Sequence, residues 1–167
     1  MHALSRMADK YPMTKKGLTT LKEELKHRKE VERFRIVRAI EEARAHGDIS
    51  ENAEFSAAKE AQSHNEGRIG KLEELVALAD VIDPVTLSGN KVVFGATVTV
   101  EETDSGERQT FAIVGEHEGD IKAGKMSLTS PLARAMIGHR VGETVQFRTP
   151  KGSREYEIVD VKFIAID

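Results

Sequence analysis

Two stretches of three–four apolar spacing, separated by His46-Gly47, constrain this chain more than any other feature. Leu18, Leu21 and Leu25 open the first stretch; Val31, Phe34, Ile36, Val37 and Ile40 continue it with a slipped phase. Phe55, Ala58, Gln62, Asn65, Ile69, Leu72, Val76 and Ala79 form one heptad seam in the second. This periodicity predicts two long helices. Thr14, following Tyr11-Pro12, is the expected cap of the first, and Gly47 its stop. A protonated His46 suits the negative end of that helix. About thirty residues at 1.5 Å rise reach about 45 Å, long for a globular helix, so a projecting element is expected. The second helix is expected to begin within Asp48 to Glu51 and to run to about Asp80. A short connection forces the two into an antiparallel pair, with facing residues whose numbers sum to about 97. Leu72 then meets Leu25, Val76 meets Leu21 and Ala79 meets Leu18. Gln62 and Asn65 make the middle of the seam polar, and a weaker stretch is expected there.

Charge supports the pairing. Lys15 to Arg44 holds ten Lys/Arg against six Asp/Glu, whereas Ala45 to Asp83 holds three against nine. A basic helix beside an acidic one gains attraction, though each exposed pair contributes only about 0.2–1 kcal/mol. For most of these charges a solvated helix face is explanation enough.

Near Asp83-Pro84 the chain changes character: glycine becomes frequent, β-branched residues rise, and alternation replaces the three–four spacing. Helices followed by strands predict an α+β chain. The expected organisation is a floppy tail over residues 1–10, a coiled-coil hairpin over 11–83 and a small β-rich domain over 84–167. At 167 residues the length suits two small domains. Strands are expected over Val92 to Val100 (bent at Gly95), Gln109 to Val114, Met126 to Thr129, Val145 to Thr149 and Arg154 to Ile164. Asp104-Ser105-Gly106 and Pro150-Lys151-Gly152 read as turns. Tyr156 and Ile158 share one phase while Val159, Val161 and Phe163 share the other, so a bulge is expected near Ile158–Val159. Ser130-Pro131 opens a helix with apolar face Leu132, Ala133, Met136 and Ile137, stopped by Gly138.

Composition narrows the function classes. The formal net charge is −3, which argues against a cation-coated DNA binder. Without cysteine there is no disulfide framework, thiolate metal site or thiol nucleophile, which suits a reducing cytosol. No run approaches the roughly 20 apolar residues of a membrane span. His27, His46 and His64 show no metal-ligand spacing with a carboxylate cluster, so a standalone metallohydrolase is disfavoured.

The candidate chemistry sits at the hairpin connection. Asp48 and Glu51 are three apart, so on a first helical turn both carboxylates leave one side. Two carboxylates with waters and substrate oxygens suit Mg²⁺, but only weakly when alone. Such a tip lacks the enclosing pocket of a complete active site. The same Asp48-x-x-Glu51 spacing is also a capping box, an ordinary helix start, and the two readings do not exclude each other. Ser50 and Asn52 fit either the orientation of a carboxylate or water, or plain helix-start hydrogen bonding.

The longer run Ala43-Arg44-Ala45-His46-Gly47-Asp48-Ile49-Ser50-Glu51-Asn52-Ala53-Glu54-Phe55 closely resembles the tip of transcript-cleavage factors of the GreA/GreB family. Tyr11-Pro12-Met13-Thr14 resembles their start, and Glu66-Gly67-Arg68-Ile69 and Val81-Ile82-Asp83 resemble their second helix. Phe94-Gly95-Ala96-Thr97-Val98 and Ser130 to Gly138 resemble their C-terminal domain. The resemblance runs in order from Tyr11 to the C-terminus; Phe55 stands where many members carry tyrosine.

The resemblance implies a factor that enters the secondary channel of bacterial RNA polymerase and rescues backtracked complexes. Asp48 and Glu51 match the acids that help hold a second Mg²⁺ beside the polymerase's own, and hydrolysis of the nascent RNA 3′ end follows two-metal chemistry. It implies no cofactor on the protein alone and no enzymatic activity of its own. Arg44 and Lys59 match a basic patch that meets the RNA 3′ end through its phosphates. The C-terminal half is similar to an FKBP-like fold, which does not carry isomerase activity with it. That half is expected to dock at the channel rim, with Ser130 and Pro131 part of the surface and Leu132, Met136 and Ile137 in the core. A cytoplasmic monomer is expected. The alternative is a secondary-channel binding modulator that does not stimulate cleavage; the presence of both acids argues against it.

Overall fold

The computed structural model describes residues 10–47 and 52–167. It divides into two compact units: Leu18–Leu78, and the segment up to Gly17 together with Ala79–Asp167. The fold is α+β, a helical hairpin followed by a five-stranded sheet.

In the hairpin, helix α1 spans Lys15–His27 and helix α2 spans Arg33–Ala45. Between them Arg28–Glu32 forms a single π-turn, in which the Arg33 N–H reaches back five residues to the Arg28 carbonyl. The first helix is therefore not the uninterrupted rod expected from spacing. The turn explains the slipped phase. A strict heptad continued from Leu18, Leu21 and Leu25 would place Arg35, Ala39 and Glu42 on the seam. Instead these three are exposed, and Ile36, Ile40 and Ala43 are buried. One inserted residue restores the apolar face. It also leaves Val31, Phe34 and Val37 outside, with Phe34 68% exposed, contrary to their expected place on the seam.

Helix α3 spans Ala53–Ala77 and holds its heptad as far as Leu72, burying Ala58, Asn65, Ile69 and Leu72 and then Leu75 in place of the expected Val76, which is half-buried. Ile36, Ile40 and Ala58 pack together, with Phe55 against them. Arg28–Asn65, Arg33–Glu66 and Glu24–Arg68 cross between the helices and run antiparallel, as expected. The helix ends earlier than expected. Ala79–Val81 is strand β2, paired in parallel with β1, Tyr11–Met13, so Ala79 is no helical partner for Leu18.

The middle of the seam is polar yet fully bonded, not slack. Asn65 is 3% exposed; its amide donates to the Arg28 carbonyl at 3.2 Å and its oxygen accepts from Arg28 Nη1 at 3.0 Å. Glu24 accepts from Arg28 Nε at 2.7 Å and takes a two-point bond from Arg68 at 2.9 and 3.0 Å. Arg68, and after it Arg28, hold the Glu24 carboxyl down to about 2 against the opposing effect of burial.

In the other unit Thr14 caps α1, its hydroxyl accepting from the Gly17 N–H at 3.1 Å. The Glu118 carboxylate accepts from the N–H groups of Thr14 and Gly115, both at 3.0 Å, and from the Thr14 hydroxyl. A Cβ at Gly17 would meet the Glu118 carboxyl group, so a side chain there would have to shift that carboxylate from its bonds to Thr14 and Gly115.

The sheet has order β5-β4-β3-β7-β6, from strands β3 (Thr97–Glu102), β4 (Arg108–Val114), β5 (Lys125–Ser127), β6 (Thr144–Thr149) and β7 (Gly152–Lys162). Within this sheet β4 and β5 run parallel and the other neighbours antiparallel. The first of these strands begins at Thr97 rather than Val92, because Gly95 takes φ +88° and turns the chain. Thr99 pairs with Asp160 but Val100 with Ile158, which leaves Val159 as the bulged residue and brings both phases of β7 into the core. Val98, Val100, Ile113, Ile158 and Tyr156 meet the short helix α4, Pro131–Met136, through its buried Leu132, Ala133 and Met136. Ile137 is 37% exposed and lies outside that core, contrary to expectation, because α4 ends one residue before it.

The Glu24 cluster carries a pH signature. Its folded pKa lies below the ordinary 4.5, so its contribution is complete above 4.5 and is lost as pH falls through about 2. Glu24→Gln should lower stability at neutral pH by about 1–2 kcal/mol, after allowance for solvent screening. The gap to wild type in urea unfolding should close across that acid window.

Candidate functional site

Asp48 and Glu51, the two candidate acids, lie outside the described residues; those on either side of them form a bonded frame. Helix α2 ends at Ala45, where the His46 N–H donates to the Ala43 carbonyl at 3.2 Å and Gly47 takes φ +116°. A side chain strains at that φ, so Gly47 is required for the chain to leave the helix. Helix α3 begins with Asn52 as its cap. The Asn52 side-chain oxygen accepts from the N–H groups of Glu54 at 3.0 Å and Phe55 at 3.1 Å.

The helix start expected within Asp48 to Glu51 is thus displaced to Asn52 and Ala53. The cap of α3 is Asn52 and neither acid. The Asn52 amide nitrogen also donates to the Ala43 carbonyl at 2.6 Å, so one side chain caps α3 and ties it to the last turn of α2. Capping preference makes Asn52 legible as a helix start; nothing in the spacing announces the bond across to Ala43.

Two further contacts close the frame. The Arg44 guanidinium carbon stands 5.8 Å from the centroid of the Phe55 ring, a cation–π contact. His46 Nδ1 lies 3.3 Å from Glu54 Oε2. Arg44 is exposed in the last turn of α2, and Lys59 is exposed further along α3, donating to Gln62 at 3.0 Å. Both leave their charge toward solvent. Among the described residues no three or more His, Asp or Glu side chains are grouped to hold a metal. Of the expected docking pair, Ser130 caps α4 by accepting from the Ala133 N–H at 3.4 Å, and Pro131 is exposed at its first position. No helix among the described residues is long and apolar enough to cross a membrane.

An antiparallel helical hairpin whose connection carries two acids, followed in sequence by a five-stranded sheet unit, defines an α+β protein of two units. Comparison with known proteins is specific. Residues 11–81 match the family model described as transcription elongation factor, N-terminal, and residues 87–163 match that described as transcription elongation factor, GreA/GreB, C-term. The chain belongs to the GreA/GreB family of transcription elongation factors. Transcription elongation factor GreA of Mesorhizobium japonicum is 56% identical over 156 residues, 93% of this chain and 99% of that protein. That of Beijerinckia indica is 56% identical over 155 residues, with the same coverage. Among solved structures, GreA factor homolog 1 (Gfh1) of Thermus thermophilus is 30% identical, covers 91% of this chain and 98% of that one, and superposes with a TM-score of 0.39.

Asn52 can be tested directly. Asn52→Ala should cost ~1 kcal/mol locally, read as roughly fivefold faster amide exchange at Glu54 and Phe55. Exchange in the middle of α3 should stay unchanged.

Proposed function

We propose that this chain rescues backtracked bacterial RNA polymerase by placing its hairpin connection in the polymerase's secondary channel and stimulating cleavage of the nascent RNA 3′ end. The observation that carries the reading is the frame around residues 48–51. Asn52 supplies the cap of α3 and the tie to α2, so the capping place that the sequence offered to Asp48 and Glu51 is filled by Asn52. Two carboxylates of that kind suit a catalytic task better than a structural one.

Hard oxygen donors fit Mg²⁺, and a pair of them fits the one or two carboxylates that Mg²⁺ takes from a protein when substrate phosphate and water fill its other positions. Asp48 and Glu51 are therefore the residues to hold an ion shared with the polymerase. Bound there, Mg²⁺ supplies charge stabilisation at the phosphodiester and an activated water. The protein's own residues deliver and orient. Arg44 and Lys59 offer charge to RNA phosphates, and the Phe55 ring holds Arg44 in place. Ser130 and Pro131, at the start of α4, belong to the surface assigned to the channel rim. Weak metal affinity in the free protein follows, since the remaining ligands come from the partners.

Asp48→Asn and Glu51→Gln should each abolish most stimulated cleavage of end-labelled RNA in stalled complexes at limiting Mg²⁺, with polymerase affinity nearly unchanged. Wild-type cleavage rates in either variant would remove the metal role. Competition for the channel without RNA shortening by the wild-type protein would establish the non-cleaving modulator instead. The purified protein alone should hydrolyse no RNA at any Mg²⁺ concentration, because a carboxylate pair by itself supplies neither a second metal nor an oriented phosphate.

A further inference from the structure

Among the described residues of the hairpin, the π-turn and the buried amide of Asn65 coincide. The π-turn gives the Arg28 carbonyl two donors: the Arg33 N–H, five residues on, and Asn65 Nδ2 from the facing helix at 3.2 Å. A carbonyl oxygen has two lone pairs, and both are used. Arg28 Nη1 returns a bond to Asn65 Oδ1 at 3.0 Å. The pairing is reciprocal, which makes it specific for one level of α3 against the first helix.

Apolar contacts on a heptad seam do not supply that specificity. Ile36, Ile40, Ile69, Leu72 and Leu75 are buried, but such packing is non-directional and tolerates a shift along the seam, whereas an asparagine displaced from its partner is left buried and unsatisfied. A single polar residue at a seam position sets register at a cost in stability. Its neighbours reinforce it: Glu24 bonds both Arg28 of the π-turn and Arg68, one position short of a turn beyond Asn65.

We infer that Asn65, seated on the π-turn carbonyl of Arg28, is a positioning residue: it fixes the register of the two helices and thereby where Asp48 and Glu51 are delivered. The inference rests on the cleavage role proposed above. It assigns to mid-hairpin residues a control over the reaction that their distance in sequence from the acids conceals.

The chain has no cysteine, so Ala39→Cys and Ser56→Cys, both at exposed positions, accept a pair of spin labels cleanly. In the full-length protein the wild-type distance distribution should be single and narrow. Asn65→Leu should broaden or split it. Asn65→Asp, which keeps size and the acceptor for Arg28 but cannot donate to the carbonyl, should do the same without a large apolar change. In stalled transcription complexes both variants should lose about tenfold in cleavage rate at saturating factor, the scale expected for ångström misplacement of reacting groups. The half-saturating concentration should stay that of wild type, which a general loss of folding would not produce. An unchanged narrow distribution in both variants overturns the register claim. A broadened distribution with wild-type saturated cleavage overturns the positioning role alone. A wild-type protein that stimulates no cleavage overturns the functional reading, and the positioning role with it, while the label distances still decide the register.

Discussion

The hairpin depends on a single geometric constraint: two helices joined by a short connection must present one common apolar seam to each other. Helix α3 meets it with an uninterrupted heptad from Ala58 to Leu72. The first helix cannot, because its apolar residues slip by one position between Leu25 and Ile36. Without the π-turn, Ile36, Ile40 and Ala43 would rotate off the seam. Burying one such aliphatic side chain contributes about 1.5–3 kcal/mol. Several together outweigh the poorer hydrogen-bond geometry of one wide turn.

Two asparagines then do for the hairpin what its apolar residues cannot. Asn65 ties the middle of α3 to the carbonyl of Arg28, and Asn52 ties its start to the carbonyl of Ala43. In both cases a side-chain amide on one helix satisfies backbone on the other. Hydrophobic packing is non-directional and tolerates sliding; these amide–carbonyl bonds do not. The salt bridges add less. Arg33–Glu66 is a two-point pair but nearly half-exposed, where ion pairs contribute little.

Much of this was legible in the sequence because periodicity reports which face is buried. The heptad of α3 as far as Leu72, the antiparallel pairing, the Thr14 and Ser130 caps and the Val159 bulge all follow from spacing and capping chemistry. The slipped phase after Leu25 was visible as well, but a slip in phase does not say whether a kink, a stutter or a π-turn absorbs it. The polar pair Gln62 and Asn65 suggested slackness, since sequence shows a polar residue without its partner; Arg28 lies 37 positions away. The α3 cap was misplaced because Asp48 and Asn52 are comparable caps and local chemistry alone does not choose between them. Val31, Phe34 and Val37 were assigned inward by apolarity, and the π-turn turned them out.

The candidate acids, Asp48 and Glu51, are read from the sequence and from the resemblance it carries; the chain on either side of them is framed by other residues. Nothing in the described frame requires an acid between Gly47 and Asn52. The turn is made by glycine, the cap by asparagine, and the packing by Phe55 against Ile36 and Ile40. In the proposed mechanism this separation is useful: the bonds by which Asn52 caps α3 and ties it to α2 run through its amide and the backbone, so a metal held at the tip would not displace them. Binding and release of the shared ion then need not be coupled to folding of the hairpin, in contrast to structural metal sites, where the two are one equilibrium.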